Sequence, residues 1–176
     1  MAHPEQAVFC ISVKTKHPEL FKKVDVLDIG SLDINGNNRY LFENYTYTGV
    51  DLGEGKNVDV VSRGHEFKPG KQYDVVISTE CFEHDQHWKE TIQNCIDLTK
   101  SGGLFIFTCA TTGRQEHGTT RTTPQDSPFT HGMFNDYYMN LTKEDILTVL
   151  NTEDFIEHKF DKNDNTKDLY FYGIKR

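Results

Sequence analysis

Short apolar runs rich in β-branched residues recur along the chain, and each gives way to a polar stretch. Five of them predict strands: VDVLDI at 24–29, YTGVD at 47–51, NVDVV at 57–61, YDVVIST at 73–79 and GLFIFTCA at 103–110. Segments of helical spacing lie around and between them, at 5–14, 38–43, 86–100 and 142–150. The third is the clearest, with Trp88, Ile92, Cys95, Ile96 and Leu98 on one stripe and Ser101-Gly102-Gly103 after it as a stop. Before the last, Thr142 with Asp145 three residues on forms a variant of the capping box. Strands alternating with helices predict an α/β protein with a parallel sheet covered by helices. The end differs: FIEHKF, polar DKNDNTKD and LYFYGI follow one another with no helix between, so these two strands pair antiparallel or lie apart.

A chain of 176 residues suits one domain with its own core, 1–176, in which 1–23 is an N-terminal helical segment. The net charge of −8 argues against a surface that neutralises a long nucleic-acid backbone, since that binding needs clustered Lys and Arg. Cys10, Cys81, Cys95 and Cys109 form no C-x-x-C pair, and the opening residues carry no signal-peptide pattern, so reduced thiols and a cytoplasmic location are expected. No apolar run approaches the ~18 residues of a membrane helix, so no membrane span is expected. Oligomeric state is not legible here.

Chemistry concentrates at strand ends. The first strand closes as VLDIG and runs into GSLDINGNNR, where Gly lets a ligand approach the backbone and a following helix would offer free N–H groups. Asp51 ends the second strand, 23 positions after Asp28, a spacing at which a carboxylate meets the hydroxyls of an adenosine ribose. After the fourth strand comes ECFEH, with Glu80, Glu83 and His84 at i, i+3 and i+4, on one side if the segment turns helically. Acidic residues also favour the first turn of a helix for its dipole, which is the plainer account of them.

VLDIG, Asp51 and the terminal hairpin together resemble the class I S-adenosylmethionine-dependent methyltransferases, over nearly the whole of 24–176. The resemblance implies a Rossmann-like, doubly wound, mostly parallel seven-stranded sheet with a C-terminal antiparallel hairpin. It also implies S-adenosylmethionine as methyl donor. Asp28, Gly30 and Ser31 would lie at its methionine and ribose end, and Arg39 would either meet its carboxylate or stand on the surface. Asp51 would hold the ribose, Leu52 the adenine face, and Gly64, His65 and Glu66 the adenine edge, with Thr79 also at the donor. One departure stands out: where the family continues Gly-x-Gly, this chain has Leu32.

ECFEH is similar to the E-x-x-E-H motif of small-RNA 2′-O-methyltransferases and ubiquinone-biosynthesis O-methyltransferases. That likeness implies a divalent cation held by Glu80, Glu83 and His84 against adjacent substrate oxygens, and such a donor set suits Mg²⁺ or Mn²⁺ better than Zn²⁺. Without a cation, His84 would act as general base. About thirty residues, 111–140, form a substrate loop dense in Gly, Thr, Pro and Arg. His117 is the first choice of fourth ligand and His131 the second; Arg114, Arg121, Tyr137 and Tyr138 are candidates for the acceptor pocket. A vicinal diol on a sugar or glycan is the favoured acceptor, with an RNA ribose or a catechol as alternatives. A catalytically silent partner protein of the same fold, and a nicotinamide oxidoreductase, are the rival readings.

Overall fold

The structure is a computed structural model and describes residues 4–176. Its strands are β1 (Asp25–Ile29), β2 (Thr46–Asp51), β3 (Val60–Val61), β4 (Tyr73–Thr79), β5 (Thr99–Ala110), β6 (Phe155–Asn163) and β7 (Asp168–Lys175). They form one sheet in the order β3-β2-β1-β4-β5-β7-β6. β1 to β5 pair parallel, and β7 runs antiparallel to both β5 and β6. The doubly wound sheet with a terminal hairpin is therefore present. Residues 164–167 alone join β6 to β7, too few to cross over the sheet, and Lys167 closes the turn with its N–H on the Asn163 carbonyl at 2.8 Å.

Adjacent strand residues point to opposite faces, so each strand feeds two cores. Val26, Val75, Ile77, Leu104, Ile106 and Tyr172 share one core with Phe9, Cys10 and Val13 of α1 (Pro4–Lys16). Leu27, Val76, Phe105, Phe107 and Phe171 share the other with Trp88, Ile92, Cys95 and Ile96 of α2 (Trp88–Leu98). The two remaining helices, α3 (Thr130–Met133) and α4 (Lys143–Ile146), are single turns. Among the described residues no helix is long and apolar enough to cross a membrane.

Several predicted elements shrink. The helix at 38–43 is one 3-10 turn, Arg39–Leu41, because Asn37 Oδ1 takes the Arg39 N–H and Asn44 adopts a left-handed φ of 51°. The helix N-terminus expected after β1 is thus missing. At 57–61 only Val60 and Val61 pair with β2; Asn57, at φ 71°, belongs to a turn. The helix at 142–150 is α4 followed by tightened bonds such as Thr148 N–H to Asp145 O at 3.0 Å. Its capping box is complete, with Thr142 and Asp145 each accepting the other's backbone N–H.

The chain goes outward from β1 through β2 to β3 and then returns to place β4 on the other side of β1. Strand order reverses there, which opens a crevice beyond the carboxyl ends of β1 and β4.

Candidate active site

That crevice holds a cavity of about 270 Å³. Its floor comes from the strand ends: Ile29 and Gly30 after β1, Asp51 and Leu52 after β2, Thr79 and Glu80 after β4. Gly30, at φ 79°, is needed where it stands, since a Cβ there would lie 2.5 Å from Cys81 Sγ. The Gly30 and Ser31 N–H groups both donate to the Val50 carbonyl, at 2.9 and 3.1 Å, and Ser31 is off the cavity wall. Asp51 braces the loop at the departure from the family pattern: its Oδ2 accepts the Leu32 N–H at 2.9 Å and its Oδ1 the Leu52 N–H at 2.7 Å. Burial raises the pKa of Asp51, and those two bonds oppose the shift.

Other residues singled out in the sequence stand away from the wall. Asp28 is buried, accepts the Tyr47 O–H at 2.5 Å and is pushed up to about 6, chiefly by burial. Arg39 lies over the Tyr47 ring at 4.1 Å and donates to Asn57, tying down the β2–β3 loop. The His65 ring packs at a tilt against that of His87, 4.3 Å between centroids, and Glu66 pairs with Arg63 at 3.5 Å. Gly64 does line the cavity, and a Cβ there would meet Thr91 Cγ2 at 2.6 Å.

At the β4 side the chain turns sharply. Glu80 takes a left-handed φ of 52°, an unfavourable conformation for a side-chain-bearing residue, held by its N–H on the Thr108 carbonyl at 2.9 Å. A single 3-10 turn, Phe82–His84, follows. Glu80 Oε1 accepts the Thr108 hydroxyl at 2.8 Å, while Oε2 is buried with no partner among the described residues. Burial first, and then the charge of Asp168, push the Glu80 carboxyl up to about 7.

Glu83 is fully buried, and neither of its carboxyl oxygens has a hydrogen-bond partner among the described residues. Burial and the neighbouring Glu80 hold its pKa well above the usual range. His84 is buried with Nδ1 likewise unpartnered, and burial, followed by His117 and His131, brings its pKa down to about 3. His117 reaches over from the loop after β5, its ring 4.9 Å from that of His84 and 5.1 Å from Tyr138. One ligand atom each from Glu83, His84 and His117 falls within 4.8 Å of the others. Glu80 is outside that group. His131 is too: it is bound to Asp136 and to the Pro124 carbonyl, each at 2.9 Å.

An unpaired buried carboxylate costs several kcal/mol, so the Glu83 carboxyl, whose oxygens have no partner among the described residues, together with the converging ligand atoms of His84 and His117, fits a cation. One carboxylate and two imidazoles form a set that Mn²⁺ accepts more readily than Mg²⁺, which prefers oxygen. Gly118, at φ 66°, makes the approach possible, since a Cβ there would sit 2.6 Å from His84 Cε1.

Arg114 lines the cavity and donates to the Thr166 carbonyl at 2.7 Å, 3.5 Å from the buried Asp168. Tyr138 packs against His84 at 5.4 Å; Arg121 is exposed and bound to Glu116, and Tyr137 donates to Met139 Sδ. Phe129 covers the β2 side, close against Gly53, and Phe134 lines the wall beside Arg63 and His87. Neither was legible as a site residue, because an aromatic in a polar loop gives no sign of which strand end it covers. Asp168 and Asp85 were missed as well. Asp168, a charge opening the apolar run LYFYGI, was the more visible.

The profile of a methyltransferase domain family matches residues 6–148. The chain belongs to this family. Among curated protein sequences none matches this chain significantly. Solved structures share its fold at low identity. The 1,6-didemethyltoxoflavin-N1-methyltransferase of Burkholderia thailandensis is 13% identical, with 99% of this chain and 91% of that one aligned at a TM-score of 0.62. The N-methyltransferase NodS of Bradyrhizobium japonicum WM9 is 14% identical over 96% of this chain and 97% of its own, with a TM-score of 0.56. Phosphoethanolamine N-methyltransferase 2 of Haemonchus contortus is 15% identical over 96% of this chain, TM-score 0.63, and the methyltransferase domain spans 52% of its length.

Proposed function

We propose that this methyltransferase domain carries the methyl group of S-adenosylmethionine to a hydroxyl of a vicinal diol, on a sugar or glycan, with a divalent cation held by Glu83, His84 and His117. The convergence of those three donors beside the cavity carries the reading. For the donor molecule, support comes from fold neighbours whose structures hold S-adenosylhomocysteine or S-adenosyl-L-methionine. Asp51 supports it also: each of its oxygens has accepted one backbone N–H and keeps a lone pair for a ribose hydroxyl.

The cation, when bound, supplies stabilisation of negative charge on the acceptor oxygen. Glu80 serves as general base. Its Oε2 has no partner among the described residues and its pKa of about 7 lets it take the hydroxyl proton at neutral pH. As the oxygen–carbon bond forms, the carbon–sulfur bond breaks and S-adenosylhomocysteine leaves. Phe129 and Phe134 in the cavity wall keep water from the donor.

An amine acceptor is the second reading, favoured by the N-methyltransferases among the fold neighbours and by the carboxylates of Glu80, Asp85 and Asp126 in the wall. Methyl transfer from labelled S-adenosylmethionine to a panel of glycans, nucleosides, catechols and amines separates them. The expected outcome is transfer to a diol that falls at least about 100-fold in chelator and recovers better with Mn²⁺ than with Mg²⁺. Full turnover in chelator would remove the cation from the mechanism, and no calorimetric binding of S-adenosylmethionine at millimolar concentration would overturn the whole reading.

A further inference from the structure

The segment between β5 and α4 reaches both sides of the cavity. On the β4 side it brings His117 to His84, and on the β2 side it lays Phe129 so close to Gly53 that a Cβ there would stand 2.5 Å from the ring. The two reaches are joined by a residue outside the cavity wall. Asp136 Oδ1 accepts the Thr120 N–H at 3.0 Å and faces His131 Nδ1 at 2.9 Å, while Oδ2 accepts the Thr120 hydroxyl. The Asp136 carbonyl takes Arg121 Nη2 at 3.1 Å. Thr120 follows His117 by three residues and His131 follows Phe129 by two, so one carboxylate clasps the stems of both reaches.

The clasp is built for an anion. His131 meets an acceptor at each ring nitrogen, Asp136 on one side and the Pro124 carbonyl on the other, and only the doubly protonated ring donates to both. Asn135 and Asp136 adopt left-handed φ values of 50° and 57°, which turn the chain back so that the carboxylate faces Thr120. Such a pair persists where surrounding bonds fix it.

We infer that Asp136 is a positioning residue that makes the two reaches one lid, so that closing over the methyl donor also delivers His117 to Glu83 and His84, and cation and donor bind cooperatively. This rests on the reading of the site given above. Either ligand alone must order the lid, and the second then meets it ordered; linkage requires the same factor in both directions.

The test measures Mn²⁺ affinity by electron paramagnetic resonance with and without S-adenosylhomocysteine, and S-adenosylhomocysteine affinity by calorimetry with and without Mn²⁺. In the wild-type chain each ligand is expected to tighten the other by one common factor of about tenfold. Asp136→Ala is expected to bring that factor near one while each ligand alone binds within about threefold of wild type, a pattern that general loss of structure does not give. Thr120→Val, which removes a single hydroxyl from the clasp, is expected to lower the factor partway and serves in its place should Asp136→Ala fail to fold. Two ligands that bind the wild-type chain independently, or coupling left intact in both variants, overturn the inference alone. No Mn²⁺ binding to the wild-type chain overturns it together with the cation site.

Discussion

Asp28 shows how much a single buried carboxyl weighs. Its pKa is pushed from 3.8 to about 6 chiefly by burial, so between those values the folded chain holds a proton that the unfolded chain has lost. Stability from this group is therefore full below pH 3.8 and is lost as pH rises through about 6, by about 3 kcal/mol. Asp28→Asn keeps an oxygen for the Tyr47 hydroxyl and cannot ionise, so the variant is expected to gain stability relative to wild type as pH goes from 4 to 7. Urea unfolding at several pH values checks this; a constant difference would mean that Asp28 does not titrate in that window. At this scale residue type, spacing and the family resemblance suggested Glu80, Glu83 and His84 with His117 as one set, of which Glu83, His84 and His117 have ligand atoms that converge. The sequence did not show Glu80 outside their group, because a left-handed φ at a glutamate leaves no mark on residue type.

Elements were legible in proportion to their burial. β1, β4 and β5 lie inside the sheet between two cores, and their apolar runs made them visible. The β1–β2 and β2–β3 connections were harder to read, because Asn side chains and turns satisfy their backbone where a helix at 38–43 and a strand starting at 57 were expected. The capping box before α4 was read correctly from Thr142 and Asp145, and its worth can be measured. Thr142→Ala removes the acceptor of the Asp145 N–H, which typically costs about 1 kcal/mol and would lower Tm by about 2–4 °C in a chain of this size. Calorimetric melting that shows no change would place the start of that turn under the control of the Leu141 and Ile146 packing instead.

Across the whole molecule, net charge −8 and two adjoining buried acids, Glu80 and Glu83, describe a chain that carries protons into its own interior. Burial lifts Glu83 well above the usual carboxyl range and Glu80 to about 7, so both shifts favour the protonated carboxyl when no cation is present. A cation needs the ionised carboxylate, and its binding is expected to release about one proton. Calorimetry of Mn²⁺ binding at pH 6 in buffers of different ionisation enthalpy counts it; zero release would mean that Glu83 is ionised beforehand or takes no part. The fold was the most legible level of all, since alternation of strand and helix followed by a hairpin admits few topologies. The lid was the least, because its contacts join positions far apart in a polar stretch without periodicity.

α1 stands ahead of the sheet in sequence, yet it roofs a face on which Val26, Val75, Ile77, Leu104 and Ile106 are completely screened from water. A chain shortened past Lys16 would lay that greasy plane bare. The crevice opens at the strand tips, so such a truncation is expected to leave the residues that line it in place and to ruin the protein by making it clump.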